Sequence, residues 1–261
     1  MFRYIVRKIR TLGYLLKKQN MDDENANDNI KDIPKKTNKV IDVLNEIFFN
    51  CSNFVYRKFE LPNKKNLLIA YMNGFIEYER LDLGIIKPIM GNYVNNPNNT
   101  DDFNLSILKN NFILPSSIIE IENMQDIFQY IYSGHCVIFV DNESKALCVC
   151  IKGIKERDTA NPELENTVRG PKEAFCENAE HNLTLITKII KNAQLKSEIF
   201  ILGRRTHTKV YLCYVEGIAK KEIINEVKQR IKQIKYDAIL DSNYIGEYIS
   251  DNPYTLFPLT G

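Results

Sequence analysis

The sequence predicts an α/β fold made of two related α/β lobes, each with helices packed on a mixed sheet. Three observations support this prediction. Apolar residues recur at helical spacing in several stretches, runs rich in Val, Ile, Phe and Tyr lie between them, and the order helix, strand, strand, helix occurs twice. We expect a first lobe at 37–151 and a second at 152–261, preceded by a basic amphipathic segment and linker at 1–36.

The overall composition limits the possible functions. The chain has 261 residues and a formal net charge of +2, so no general basic excess favours nucleic acid as a partner. The six cysteines lack a C-x-x-C pair and the three histidines are scattered. We therefore predict buried free thiols, with no disulfide framework, metal site or cofactor. No signal peptide and no apolar run long enough to span a membrane is expected.

The first element is the stretch that begins at Met1 and ends at Lys18, whose apolar residues recur at helical spacing. It contains six basic residues and no acidic one. Such a helix can lie on an anionic membrane surface, or it can pack on the protein body or on a partner helix. Residues 19–36 are polar, lack periodicity and predict a flexible linker.

The first lobe is predicted to contain helices and short strands. Thr37 is expected to cap a helix, and Asn123 to cap a later one. A surface loop is expected at 91–111, because Asn is frequent there. The remaining predicted elements are strands at 54–61, 67–72 and 118–121, a helix at 75–83, and a hairpin of strands at 136–140 and 146–151.

The second lobe is predicted to contain three helices and three strands. A helix that begins at Pro171 is expected to bury Phe175, Ala179, Leu183, Ile186 and Ile190 on one face. A helix at 220–235 is expected to bury a stripe that includes Ile223. The other predicted elements are strands at 198–202, 209–215 and 238–240 and a helix at 242–250.

The two lobes share a short motif. The second strand of each lobe ends in the same way, because Tyr71 and Gly74 in the first lobe have the same spacing as Tyr214 and Gly217 in the second. Because the order of elements also agrees, an internal duplication is the simplest interpretation.

The stretch VRGPKEAF at 168–175 precedes the predicted helix of the second lobe. Pro171 suits the first helical position, Gly170 allows a sharp turn, and Glu173 complements the helix dipole. Arg169 and Lys172 have no such local role. They predict either an anion site at the helix start or, as we favour, pairing of Arg169 with an internal acid. The candidate acids are Glu163, Glu165 and Glu216.

Catalytic motifs are missing from the sequence. It has no G-x-S-x-G, no H-E-x-x-H, no phosphate-binding glycine loop and no convincing pair of carboxylates. Arg204 and Arg205 lie in the predicted loop at 203–208, where a solvated hairpin tip explains them most simply. We therefore expect that the protein is not an enzyme.

Several ordered motifs closely resemble the A subunit of GerA-family spore germinant receptors. The resemblance is specific from 168 to 258 and looser from 37 to 151. The motifs that carry it are VRGPKEAF, LGRRTHTKV at 202–210, YVEGI at 214–218, DS at 241–242, DNPY at 251–254 and FP at 257–258.

The resemblance implies a soluble domain of a receptor that triggers germination when nutrients are sensed. It implies B and C subunits as partners, homo-oligomers of A subunits, and a place at the spore inner membrane facing the cytoplasmic core. Membrane helices are expected to follow Gly261, so the sequence is interpreted as a domain of a longer protein. A bilobal module that binds the germinant in its own cleft is the alternative.

Overall fold

The structure is a computed structural model that describes residues 32–61, 64–95, 104–113, 117–153 and 175–251. We call the described part of 32–153 the N-terminal unit and 175–251 the C-terminal unit. The helices of the N-terminal unit are α1 Thr37–Ile47, α2 Tyr78–Leu81, α3 Lys87–Asn95, α4 Leu105–Ile107 and α5 Met124–Ile131. Its strands are β1 Phe54–Glu60, β2 Asn66–Met72, β3 Ile118–Ile121, β4 His135–Val140 and β5 Ala146–Cys150. The C-terminal unit contains α6 Ala179–Ile189, β6 Leu195–Leu202, β7 Thr208–Val215, α7 Lys221–Gln233 and α8 Ser242–Ile249.

The predicted α/β class is confirmed, with one difference in the sheets. The N-terminal unit has a five-stranded sheet in the order β1-β2-β4-β5-β3, and the C-terminal unit pairs β6 with β7. Every pairing among these strands is antiparallel, whereas mixed sheets were predicted. The short turns that join β1 to β2 and β6 to β7 make antiparallel pairing the natural outcome.

The N-terminal unit is a three-layer sandwich, because its sheet is covered on both faces. Alternate residues of β2 point to opposite sides. Leu68 and Met72 join the cluster formed with α1 and α5, whereas Leu67 and Ile69 join the cluster on the other face. Burial on both faces accounts for the continuous apolar run of this strand.

Helix α1 begins at Thr37, but Thr37 does not cap it as predicted. The N-cap is Lys36, which makes no side-chain cap bond. The cap comes from Asp141, whose Oδ1 accepts from the Thr37 N–H (2.8 Å) and hydroxyl (2.9 Å). Asn66 donates its N–H (2.9 Å) and its Nδ2 (2.7 Å) to Oδ2 of Asp141. Burial acts to raise the pKa of Asp141, but these four bonds outweigh it and the pKa is lowered.

The predicted loop at 91–111 is wrong in two places. Helix α3 continues to Asn95, and α4 with the π-helical turn Leu108–Phe112 follows beyond residue 103. Leu105 and Leu108 are buried in the second cluster of the N-terminal unit. The frequent Asn residues predict a loop, because Asn favours turns. Burial of the two leucines outweighs this preference, and the segment is helical instead.

The cap at Asn123 is confirmed, because its side chain accepts from the Gln125 N–H at 2.9 Å.

The C-terminal unit departs from the prediction at its first helix. Helix α6 begins at Ala179, with Asn178 as a cap that accepts from the N–H groups of Glu180 and His181. Phe175 lies before the helix and is exposed, so it does not open a buried stripe as predicted. Pro171 is accordingly not the first residue of this helix.

Two further predictions in this unit are corrected. Ile223 is exposed on α7, and the buried residue of that helix is Ile231. Residues 238–240 form no strand. Ile239 is instead held by side-chain hydrogen bonds, since its N–H donates to Thr206 Oγ1 and its carbonyl accepts from Thr208 Oγ1.

The predicted repeat of element order is present in the structure. The series α1, β1, β2, α2 has the same order as α6, β6, β7, α7. Gly74 (φ 83°) and Gly217 (φ 81°) both adopt the left-handed conformation after the second strand of each series. A shared motif therefore performs the same turn in both units.

Within the described residues, none of the helices has the length and apolar character needed to cross a membrane.

Candidate functional site

The candidate residues from the sequence fall into two groups. Arg169, Gly170, Pro171, Lys172 and Glu173 lie outside the described residues. The others are in the C-terminal unit: Phe175 before α6, Arg204 and Arg205 at the β6–β7 tip, and Tyr214, Glu216 and Gly217 at the end of β7. The structure brings Tyr214 and Glu216 close to the N-terminal unit, through Glu198 and Lys196 respectively, and leaves the arginines at the opposite end of the hairpin.

The two units are joined by main-chain hydrogen bonds along β6. The Ser197 N–H donates to the Asn50 carbonyl at 2.7 Å, and the Ser52 N–H donates to the Ser197 carbonyl at 3.1 Å. Cys51 and Ser197 thereby form a parallel bridge. The hydroxyls of Ser52 and Ser197 also lie 2.8 Å apart. The corner at 50–52 thus acts as a short third strand beside the β6–β7 hairpin.

A buried lysine lies at this junction. The side chain of Lys196 is only 5% exposed, and its Nζ is 3.4 Å from Oε2 of Glu216. The same Nζ donates to the carbonyl of Ile47 at 3.3 Å, at the end of α1. A cation near a helix C-terminus interacts favourably with the helix dipole. Lys196 therefore connects the Glu216 motif to α1 of the other unit.

Glu198 is the second charged residue of the junction. Its Oε1 accepts from Asn50 Nδ2 (3.0 Å) and from the Tyr214 hydroxyl (2.7 Å), and it pairs with Lys228 Nζ of α7 at 2.5 Å. The bond to Glu198 raises the pKa of Lys228. Burial, and secondly the bond to Glu198, raise the pKa of Tyr214. One carboxylate oxygen thus links both units and α7.

The junction also requires close approach of backbone and side chain. A Cβ built on Gly74 would lie 2.2 Å from Thr184 Oγ1 of α6. Nearby, Asn53 Nδ2 donates to Thr187 Oγ1 at 3.0 Å, and both residues are buried. Gly74 is therefore needed both for its turn and for contact between the units.

The sequence motifs single out Tyr214 and Glu216 but not Glu198 and Lys196, the residues that they contact. Lys196 and Glu198 alternate with other residues at the start of a strand, and polar residues in that pattern usually face solvent. Asn50 and Lys228 belong to elements far away in sequence. No local signal indicates that these four residues meet.

The chemistry available at this site is ion pairing and hydrogen bonding. Cys51, Cys136 and Cys148 are buried free thiols, and burial raises the pKa of each. In the described ranges, no three His, Cys, Asp or Glu side chains are grouped as a metal site requires. The side chains of the junction form a network of ion pairs and hydrogen bonds that joins the two units.

Comparison with known proteins identifies the family. The model of the Bacillus/Clostridium GerA spore germination protein family matches residues 42–261. The chain therefore belongs to the GerA family.

A solved structure narrows this to one domain of one subunit. The N-terminal domain of the A subunit of the Bacillus megaterium spore germinant receptor GerK3 superposes with a TM-score of 0.63 at 25% identity. The match covers 88% of this chain and 83% of that one. The chain thus has the fold of a germinant-receptor A-subunit N-terminal domain.

Two curated relatives come from Bacillus subtilis (strain 168). The chain is 34% identical over 208 residues to the uncharacterized membrane protein YfkQ, covering 80% of the chain and 40% of the relative. It is 29% identical over 210 residues to spore germination protein KA, covering 79% and 38%. The chain spans about 40% of the length of these relatives.

Proposed function

We propose that this protein is the part of a germinant-receptor A subunit that couples nutrient sensing to ion release through contacts between subunits, without catalysing a reaction. Its partners are then the B and C subunits and other A subunits. The domain is then at the spore inner membrane, facing the cytoplasmic core. Family membership and the fold of an A-subunit domain support the receptor role.

The observation that carries the coupling mechanism is the charged junction. Lys196 is nearly fully buried, yet its Nζ contacts Glu216 of its own unit and the Ile47 carbonyl of the other. Separating the units would break the bond from Lys196 to the Ile47 carbonyl and the main-chain bonds of Ser197 to residues 50 and 52, and each such bond contributes to holding the units together. Motion of the C-terminal unit is therefore passed to α1 rather than absorbed by a flexible link.

The division of the chain into lobes at 37–151 and 152–261 is part of this proposal. It is supported by separate hydrophobic clusters, because the clusters of the N-terminal unit comprise residues from Ile33 to Ile151 and that of the C-terminal unit comprises Leu202, Ile231, Ile234 and Ile239.

The test uses spores that carry the full-length protein with its B and C subunits. Lys196→Met keeps the length of the side chain but removes the charge at the junction. We expect nutrient-triggered ion release to be reduced at least about fivefold, because coupling free energies between sites are typically about 1–3 kcal/mol, or about 5–150-fold in an equilibrium. Lys191→Met is the control, since Lys191 is exposed just before β6. Normal ion release from Lys196→Met spores with normal receptor levels would contradict the proposal.

The alternative function is direct germinant binding in a cleft between the lobes. A cavity of about 360 Å³ offers room for a small ligand, although it lies within the C-terminal unit, between α6, β7 and the start of α8, and not between the lobes. A ligand bound to the native state at 100 times its Kd stabilises it by about 2.7 kcal/mol. A rise in melting temperature with nutrient amino acids, sugars or nucleosides would favour the alternative, and we expect none.

A further inference from the structure

The outer edge of β6 is paired along only part of its length. The N–H and the carbonyl of Ser197 both bond to the corner at 50–52. Backbone groups alternate in direction along a strand, so those of Ile199 and Ile201 point to the same side as those of Ser197. The register with β7 is one-to-one through these residues, so no bulge changes that direction. In the part of the chain that the structure describes, no strand pairs with this side beyond Ser197, and we call 198–202 the open edge of β6.

The outward-facing residues of this edge also have exposed apolar side chains. Ile199 is 45% exposed and Ile201 is 65% exposed. Helix α6 covers the same face of the hairpin, but it lies over β7, because its Glu180 bonds to Lys209 and Tyr211. These two residues are the β7 partners of Ile201 and Ile199. An edge with open hydrogen-bonding positions and exposed β-branched side chains favours the addition of another strand.

The open edge of β6 differs in charge from an edge of the five-stranded sheet. There the edge strand β1 carries Arg57 and Lys58, both exposed. Charged side chains on an edge strand hinder the addition of a further strand. The open edge of β6 has one charged residue, Glu198, and its carboxylate is paired with Lys228 of its own unit. This edge therefore lacks the protection that β1 has.

We propose that the open edge of β6 pairs with the same edge of a second copy of this chain, antiparallel and around a two-fold axis at Phe200. Ile199 then lies opposite Ile201 of the second copy, and Ile201 lies opposite its Ile199. Each of these pairs exchanges two main-chain hydrogen bonds. The two hairpins become one four-stranded antiparallel sheet. The inference rests on the proposed function in one respect, because like A subunits are among the partners proposed there.

The symmetry of the open edge favours a second copy as its occupant. A two-fold contact uses the same surface on both copies, so that surface must be complementary to itself. Ile199 and Ile201 are identical in type and lie at equal distances in sequence from Phe200. Residues opposite each other in an antiparallel pair share a face, so the four isoleucines of the two copies cover one another.

The length of the open edge also matches a second copy. At one end the edge is occupied at Ser197 by the corner at 50–52. At the other end β6 finishes at Leu202, and Gly203 (φ 82°) turns the chain away. With the axis at Phe200, Gly203 of the second copy lies opposite Ser197. The added strand therefore ends where the corner begins, and the two copies meet without overlap of the corner and the partner strand.

The experiment is disulfide trapping between two differently tagged copies of the full chain, because pairing over so few residues is weak beside interfaces of about 20–30 residues a side. One copy carries Ile199→Cys and the other carries Ile201→Cys. Opposed residues in such a pair have Cα atoms about 5.5 Å apart, which a disulfide bridges. Two copies of one variant place their new thiols diagonally, about 7–8 Å apart, which a disulfide does not bridge without backbone movement.

We expect the mixed disulfide to form at least about tenfold faster than either like disulfide, and faster at higher protein concentration. Ile223→Cys is the matched control, because Ile223 is apolar and 57% exposed but lies on α7. Mixed with Ile199→Cys or Ile201→Cys, it should give no adduct above the background of the wild-type chain, whose native thiols are free.

A charge placed on the edge provides a second test. Ile201→Lys should weaken self-association at least about tenfold in sedimentation experiments, because a lysine on an edge strand opposes pairing. Ile223→Lys should leave self-association unchanged. Both positions are exposed, so neither variant should alter the melting temperature.

Other outcomes would overturn the proposal. These are like disulfides that form as fast as the mixed one, a mixed disulfide no faster than the Ile223→Cys control, or equal effects of the two lysine variants. Amides of Ile199 and Ile201 that are already protected from hydrogen exchange in dilute, monomeric protein would show that the same chain covers the edge. A mixed disulfide together with normal ion release from Lys196→Met spores would reject the coupling and keep the edge pairing. The reverse result would reject the edge pairing alone.

Discussion

The two units differ in how their stability is achieved, although they share an order of elements. The sheet of the N-terminal unit has five strands and apolar clusters on both faces. The sheet of the C-terminal unit has two strands, and its cluster contains four buried residues. A two-stranded sheet is marginal in isolation. The C-terminal unit therefore depends on α6, α7 and the junction with its neighbour.

This difference explains why the charged residues lie where they do. In the N-terminal unit, apolar burial supplies most of the stability and the polar groups act as caps, as Asp141 does. In the C-terminal unit, hydrogen bonds such as those between Glu198 and Asn50 and between Lys196 and Ile47 hold the two-stranded sheet against the N-terminal unit.

The largest predicted effect concerns the core of the N-terminal unit. Phe139 is fully buried in the cluster beneath α1 and α5. Phe139→Ala should cost about 3–5 kcal/mol of unfolding free energy, because it removes a ring and leaves a cavity. Urea denaturation followed by circular dichroism measures the loss.

Hydrogen exchange in the wild-type protein tests whether the C-terminal unit is locally less stable than the N-terminal unit. We expect amides of β6 and β7 to exchange faster than those of β2 and β4, since local openings occur where burial is least. Equal protection in the two sheets would show that the C-terminal unit is not the weaker one.

The second prediction concerns contact between the units at Gly74. Gly74→Ala should destabilise the protein by about 2–3 kcal/mol, because Ala is strained at φ 83° and its Cβ would clash with Thr184. Gly91→Ala is the control. Gly91 lies in α3 with no atom within 4 Å of a built Cβ, so this change should be neutral or stabilising.

A double variant separates strain from contact. Adding Thr184→Ala removes Oγ1 and should recover part of the loss, while the backbone strain remains. If Gly74→Ala with Thr184→Ala is no more stable than Gly74→Ala alone, in melting experiments corrected for the single Thr184→Ala change, the close contact is unimportant.

The third prediction uses pH to probe the cap of α1. The pKa of Asp141 is lowered from its ordinary value of 3.8, so the ionised form stabilises the fold above that value. This stability is lost as the pH falls through the lowered pKa. Asp141→Asn should cost about 1–2 kcal/mol at pH 7, because an amide puts a donor where a carboxylate accepted.

The difference between Asp141→Asn and wild type should then begin to shrink below pH 3.8 and continue to shrink through the lowered pKa, where the folded wild-type carboxyl also gains a proton. Unfolding measured at several pH values checks this. A difference that stays constant down to pH 2 would assign the effect to packing instead of charge.

Much of this fold could be predicted from sequence, because periodicity reports burial. β3, α5 and the β4–β5 hairpin were placed within a residue or so, and the cap at Asn123 follows from its chemistry. The prediction of the cap of α1 was wrong because a residue distant in sequence supplies it. Asp141 caps α1 from more than 100 positions away. The start of α6 at Ala179 depends instead on a local interaction, because the side chain of the preceding Asn178 accepts from two N–H groups.

The candidate site was harder to predict than the fold. The motif residues Tyr214 and Glu216 were identified, but Lys196 was not, since only the paired sheet shows that its side chain points into the junction. Leu240 was assigned to a strand because apolar residues usually mark burial. Exposure of an apolar side chain is a tertiary property, and the local sequence does not encode it.

Changes to the basic segment from Met1 to Lys18, which precedes both units, should have the smallest effect on stability. The stretch from Met1 to Lys18 has six basic residues and no acidic one, with apolar residues at helical spacing. We predict that the full chain binds vesicles containing phosphatidylserine and that binding weakens with salt, because each basic residue near an anionic surface contributes about 1 kcal/mol before screening. Replacing Arg3, Arg7, Lys8 and Arg10 with Gln keeps the apolar stripe and should abolish most of the binding without lowering the melting temperature. Binding of this variant equal to that of the wild type would place membrane contact on the folded units instead.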